Sequence, residues 1–198
     1  MISIKSLTKS FGHNIISNFS YEFASSSIYF LSGKNGAGKT TLLKLIKGIY
    51  IKDSGSINFK DGIDRYKNIS YVDNNFRSFF HRLTVLENLD YFSSIQSSIS
   101  VHAYTYSLLD KFNINHIKNK KFSDLSNGQM QLISIIRSFA SSPKIVLIDE
   151  AFSSLDKINR EIFFEIVNIY VQENDALVIC ASHEENFFDR QRMIEINI

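Results

Sequence analysis

Apolar positions along this chain change period several times, and each change marks a boundary between predicted elements. Over residues 1–31 they alternate with polar ones in short runs, as at Ile2 and Ile4 and again at Tyr21 and Phe23. That alternation predicts antiparallel strands with a turn near Gly12-His13-Asn14. Ile28-Tyr29-Phe30-Leu31 is a continuous apolar run of strand length. After a glycine-rich segment the period becomes helical, through Leu42, Leu43, Leu45, Ile46 and Ile49, with Gly48 as a stop signal. Residues 56–59 and 69–72 read as strands on either side of the turn Lys60-Asp61-Gly62. Thr84-Val85-Leu86-Glu87 is a capping box opening a helix with Leu89 and Phe92, and a further helix is expected over 101–112.

A second capping box, Ser126-Asn127-Gly128-Gln129, starts a helix whose apolar side is Leu132, Ile133, Ile136, Phe139 and Ala140. Pro143, the only proline, closes that helical region. Ile145-Val146-Leu147-Ile148 is unbroken in its hydrophobicity, as a parallel strand covered on both faces must be. Ser153-Ser154-Leu155-Asp156 caps a helix carrying Ile158, Ile162, Ile166 and Ile169. A strand over 176–181, a short polar helix and a last strand from Met193 to Ile196 complete the pattern. With no internal repeat, low-complexity tract or linker, one unit spanning 1–198 is expected.

Composition narrows the setting. A chain of 198 residues that is 44% hydrophobic can bury one sizeable core. Its 22 basic and 20 acidic residues nearly cancel, which argues against a nucleic-acid-coating surface. Cys180 is the only cysteine and sits in an apolar strand run, so no disulfide or cysteine metal framework can form within the chain. No apolar run reaches the length of a membrane span and the first residues lack a secretory h-region. The expectation is a cytoplasmic protein, able to dock on a membrane protein. Lys118-Asn119-Lys120-Lys121 reads as a solvated basic loop.

The chemistry concentrates where the elements end. Between the strand 28–31 and the first helix, Gly33 to Thr40 fits G-x-x-x-x-G-K-[ST]. In such a loop the backbone N–H groups of Gly33, Asn35, Gly36, Ala37 and Gly38 can line a nest for phosphate oxygens. A Cβ at Gly36 or Gly38 is expected to crowd that nest. Lys39 reaches for the β- and γ-phosphates, Thr40 offers a hydroxyl to Mg²⁺, and the helix beginning near Thr41 presents its positive end. Asp149-Glu150 closes the buried strand 145–148. Strand alternation would send Asp149 toward the metal and Glu150 toward an attacking water. Ser126, at a helix start with Gly128 and Gln129, is a second candidate anion site. Phe11 has two readings, satellite core or a platform for a purine base. His183, at a strand end, reads on residue type alone as ordinary surface.

Taken in order, GKNGAGKTT, LSNGQ, IVLIDE, SSLD and SH resemble the ATP-binding subunit of ABC transporters, over nearly the whole chain. The resemblance implies an α/β fold: a P-loop NTPase core with a mainly parallel sheet, an antiparallel β lobe, and a helical lobe inserted at about 77–140. It also implies a head-to-tail pair of such subunits, homodimeric or heterodimeric, holding two ATP at the seam and driving a transmembrane permease on a separate chain. Phe11 would then stack on adenine, residues 32–41 would cradle the phosphates, and Thr40 and Asp149 would hold Mg²⁺. Glu150 would be the general base and His183 the γ-phosphate sensor. Residues 125–129 would close over the partner's ATP, and Asp156 would join the dimer contact.

Three positions depart from the family pattern. The switch-loop glutamine, which the resemblance places at the Mg²⁺ or its water, is replaced by Asn74, or by Asn75 if the loop is one residue longer; the amide remains, as a metal-site candidate, on a side chain one methylene shorter. Ala151 follows Glu150 where the family usually has proline, and Asn127 stands where it has glycine. Residues 75–89 are similar to the corresponding stretch of small exporter subunits, which implies export, at the inner face of the cell membrane. Two other classes compete: a non-transport member of the superfamily, and a regulatory module that holds ATP without turning it over. The single phosphate loop, the single cysteine and the absence of a heptad run weigh against the first; Glu150 and His183 weigh against the second.

Overall fold

A computed structural model describes residues 1–94, 99–152, 155–182 and 194–198. The alternating N-terminal segment forms β1 (Ile2–Ser10) and β2 (Asn14–Phe23), paired antiparallel. The turn between them is closed by Phe11 N–H donating to the His13 carbonyl at 3.0 Å, with Gly12 at φ +75°. The apolar run becomes β3 (Ser27–Ser32), and the helix after the glycine-rich loop is α1 (Lys39–Lys47). Gly48 ends α1 in a left-handed conformation, so Ile49 lies past the cap and is 52% exposed rather than on the helix's apolar side.

The two strands flanking the Lys60-Asp61-Gly62 turn go to different sheets. β4 (Ser54–Phe59) adds to β1, giving the antiparallel order β2-β1-β4. Before the next strand comes a one-turn helix, α2 (Arg65–Asn68), which the apolar pattern does not announce. It is held by Asp64, whose Oδ1 accepts from Tyr66 N–H at 2.8 Å and Lys67 N–H at 3.1 Å. β5 (Ile69–Val72) then becomes the edge of a parallel sheet. α3 (Val85–Ser94) opens on the Thr84 box, with Thr84 N–H donating to Glu87 Oε2 at 2.7 Å and Glu87 N–H to Thr84 Oγ1 at 3.2 Å. α4 (Ile99–Lys111) and α5 (Asn127–Phe139) follow, then β6 (Ile145–Asp149), α6 (Lys157–Glu173), β7 (Leu177–Ala181) and β8 (Ile194–Asn197).

The second sheet runs β5-β6-β7-β3-β8 and its described pairings are all parallel. Alternation along its strands divides the core. Tyr29, Leu31, Ile145, Leu147, Leu177 and Ile179 face α1 and the antiparallel sheet. Ile28, Phe30, Val146, Ile148, Val178 and Cys180 face a second core built with α3 to α6. Both faces are covered, which explains why 145–148 carries no polar residue.

The isoleucines named on α6 do not share one buried face. Phe163, Ile166, Val167, Tyr170 and Val171 are buried, whereas Ile158 is 69% and Ile169 40% exposed. The isoleucine series drifts around a helix that is apolar on most sides between 162 and 171. The side turned inward carries Phe163, Ile166, Val167 and Tyr170, with Ile162 and Phe164 partly buried beside it. Among the described residues no helix is long and apolar enough to cross a membrane. The short polar helix expected after the strand 176–181, and Met193, lie outside the described residues.

Candidate functional site

The site lies at the carboxyl ends of three neighbouring parallel strands, where open α/β sheets place their ligands. Ala181 on β7 is level with Leu31 on β3 and with Asp149 on β6. That register sets the glycine-rich loop, which leaves β3 one residue later, beside the acid at the end of β6. The loop folds back on itself through Ala37 N–H, which donates to the Lys34 carbonyl at 3.0 Å. Lys34, Asn35 and Gly36 are exposed at its tip, and Thr41 is half-buried in the first turn of α1. Lys39 is buried, its Nζ donating to the carbonyls of Gly33 at 2.7 Å and Lys34 at 3.3 Å. The ammonium thus bridges the mouth of the loop.

Glycine is required here, though not in the way crowding alone suggests. A Cβ on Gly36 would meet nothing within 4 Å; its φ of +83° is what excludes other residues. Gly38 is constrained twice, by φ +105° and by the Ile15 carbonyl oxygen, which would stand 3.1 Å from an added Cβ. Gly33 is the most tightly enclosed, since a Cβ there would stand 2.8 Å from the Ile198 carbonyl. Gly38 also caps α1 without any side-chain hydrogen bond, and the first turn of α1 holds no acid. Its leading N–H groups therefore remain available to an external anion.

Asp149 is buried and receives two donors. Thr40 Oγ1 donates to its Oδ1 at 2.8 Å, across 109 residues of sequence, and Tyr71 Oη donates to its Oδ2 at 2.7 Å. Burial lifts the Asp149 carboxyl above the usual carboxylate range, while the hydrogen bonds from Tyr71 and Thr40 and the charge of Lys44 pull it back. Burial, then the adjacent Asp149 carboxylate, pushes the Tyr71 phenol well up, so it stays a donor. Oxygen donors of this kind suit a hard cation such as Mg²⁺. Among the described residues no group of three His, Cys, Asp or Glu could hold a metal alone. A divalent ion here fits as one that arrives with phosphate oxygens.

Glu150 corrects the strand-alternation argument. β6 ends at Asp149, and Glu150 sits at φ +53°, so a turn rather than the strand's pleat orients its side chain. Its N–H still donates to the Ala181 carbonyl at 2.8 Å, which pins the turn to β7. Its carbonyl accepts from Asn74 Nδ2 at 3.1 Å. Asn75 instead turns into its own loop, accepting from Arg77 N–H at 3.0 Å. Of the two asparagines, Asn74 is the one that meets the acidic strand end.

Phe11 is 49% exposed and edge-on to Tyr50, with ring centroids 5.2 Å apart and Lys9 Nζ 5.0 Å from its own centroid. It is not core. Ser126 is the N-cap of α5 with both arms of its box formed, Gln129 N–H donating to its Oγ at 3.3 Å and its own N–H donating to Gln129 Oε1 at 3.1 Å. Ser126 is exposed, and Gly128 and Gln129 lie at the same open end of α5. The helix packs with α3, α4 and β5, on the far side of the sheet from α1. Asp156 caps α6, accepting from Asn159 N–H at 2.8 Å. His183, Ser153 and Ser154 lie outside the described residues. Tyr71 is the site residue that sequence reasoning missed; a lone phenol on an apolar edge strand, ending near the acidic pair, was its only trace.

Comparisons with known proteins bear on the family and the fold. The family model described as "ABC transporter" matches residues 16–153. The ABC transporter ATP-binding protein YtrB of Bacillus subtilis (strain 168) is 30% identical over 197 residues, covering 96% of this chain and 66% of its own length. The chain thus spans just under two thirds of that relative. The cytochrome c biogenesis ATP-binding export protein CcmA of Rickettsia felis is 27% identical, with 99% of this chain and 100% of that protein covered. Among solved structures, one described as the ATP binding subunit of an ABC transporter superposes with a TM-score of 0.84 at 22% identity, over 96% of this chain and 83% of that one.

Proposed function

This chain belongs to the ABC transporter family, as a nucleotide-binding domain, and we propose that it binds and hydrolyses ATP to power a permease carried on a separate chain. The observation that carries the reading is the 2.8 Å contact between Thr40 and Asp149 at the open N-terminus of α1. It joins the phosphate loop to the acidic strand end in one oxygen-lined site. Residues 32–41 hold the triphosphate through backbone N–H groups and the Lys39 ammonium, and Phe11 receives the adenine. Thr40 and Asp149 would hold Mg²⁺, with Asn74, which meets the Glu150 carbonyl, as the further candidate. The ion, when bound, neutralises charge on the phosphate oxygens. Glu150 orients the attacking water and takes its proton, and His183 senses the γ-phosphate.

Ser126, Gly128 and Gln129 act in trans. The exposure of Ser126, on a helix across the sheet from the chain's own phosphate loop, supports a head-to-tail pair in which each copy's α5 closes over the other's ATP, with Asp156 at the contact. The whole of 1–198 works as this one unit, its helical lobe at about 77–140, at the inner face of the membrane through its permease. Export is the direction we favour, on the similarity of residues 75–89 to exporter subunits and on the likeness to the export protein CcmA. Other curated relatives are named for import.

The pairing is tested by light scattering on the Glu150→Gln variant. With saturating ATP and Mg²⁺ the 22.7 kDa chain should double in mass. A variant that binds ATP yet stays single would overturn self-pairing.

A further inference from the structure

We propose that Tyr71 is a positioning residue of the metal–nucleotide site, holding the Asp149 carboxylate from the side opposite Thr40. The inference rests on the reading of Thr40 and Asp149 as the Mg²⁺ pair. The two oxygens of Asp149 are taken by different donors, Oδ1 by Thr40 at 2.8 Å and Oδ2 by Tyr71 at 2.7 Å. A carboxylate held by one oxygen alone can still swing about its terminal torsion, which is broad. Held by both, its plane and its distance from Thr40 are fixed before any ion arrives.

The sheet makes this possible. β5 lies beside β6 with Tyr71 level with Leu147, so Asp149 is two residues further on along the neighbouring strand and on the same face. A tyrosine leaning along its strand spans that offset, and its ring packs against the α1-facing core while its hydroxyl reaches the acid. A phenylalanine would serve the packing equally well; what the hydroxyl adds is its bond to Asp149. Oriented carboxylates around metals depend on such outer partners, whose loss typically costs ten- to a hundredfold in metal affinity or activity.

The test is Tyr71→Phe, which deletes one oxygen and keeps the ring. Binding of a fluorescent ATP analogue is titrated with Mg²⁺ and, separately, measured in EDTA, in the wild-type chain and the variant. The expected result is a roughly tenfold higher Mg²⁺ requirement for tight binding in the variant, with nucleotide affinity in EDTA unchanged. An unchanged Mg²⁺ requirement, or an equal loss of affinity with and without Mg²⁺, would overturn the proposal, the second because it would mark a merely structural role. A wild-type chain that binds no nucleotide would instead bring down the reading of the site itself.

Discussion

Lys39 is a buried ammonium whose two hydrogen-bond acceptors are carbonyls of the loop it sits in. Lys39→Ala should therefore both slacken that loop and remove the charge that meets the phosphates. Calorimetry is expected to show nucleotide affinity falling by on the order of a hundredfold, as charge-assisted contacts of about 1.5–3 kcal/mol are lost. Gly38→Ala should act through the backbone, because φ is +105° and the Ile15 carbonyl oxygen stands 3.1 Å from the added carbon. Thermal unfolding should register a loss of roughly 2 kcal/mol. Both residues were legible from the loop's spacing. Tyr71 and the left-handed turn at Glu150 were not, for a physical reason: the first is a contact across 78 residues of sequence, and the second is a turn whose N–H is bonded to Ala181 of β7, 31 residues on. Local pattern carries neither.

At the scale of elements, cap chemistry was the most legible. Thr84-x-x-Glu87 and Ser126-x-x-Gln129 each start the expected helix with both hydrogen bonds formed. Asp156 likewise starts α6. Asp156→Ala should cost about 1 kcal/mol by chemical denaturation. Phe163→Ala, deep in the core facing α3 to α6, should cost about 3–5 kcal/mol, whereas Ile158→Ala should cost well under 1 kcal/mol because Ile158 is 69% exposed. That contrast distinguishes the observed α6 face from the isoleucine series in its sequence. The isoleucine spacing alone does not give that face, because a helix apolar on most sides has no single stripe. The α2 turn was missed because its one signal, Asp64, lies among other turn residues.

For the whole molecule, strand order is the feature that sequence could not supply. The apolar runs give strands, but only the order β5-β6-β7-β3-β8 brings the phosphate loop after β3 and the acids after β6 to one edge, with β7 between them. The lobes then divide the labour: one face of the sheet seats α1 and its loop, the other carries the helices that hold Ser126 outward. This edge is proposed to grip ATP, with Glu150 completing its hydrolysis. The most direct test is to measure ATP binding and phosphate release on the same preparations of the wild-type chain and Glu150→Gln. The variant should bind ATP as tightly as wild type while its phosphate release falls by at least about a hundredfold. Equal phosphate release from the two would contradict the claim.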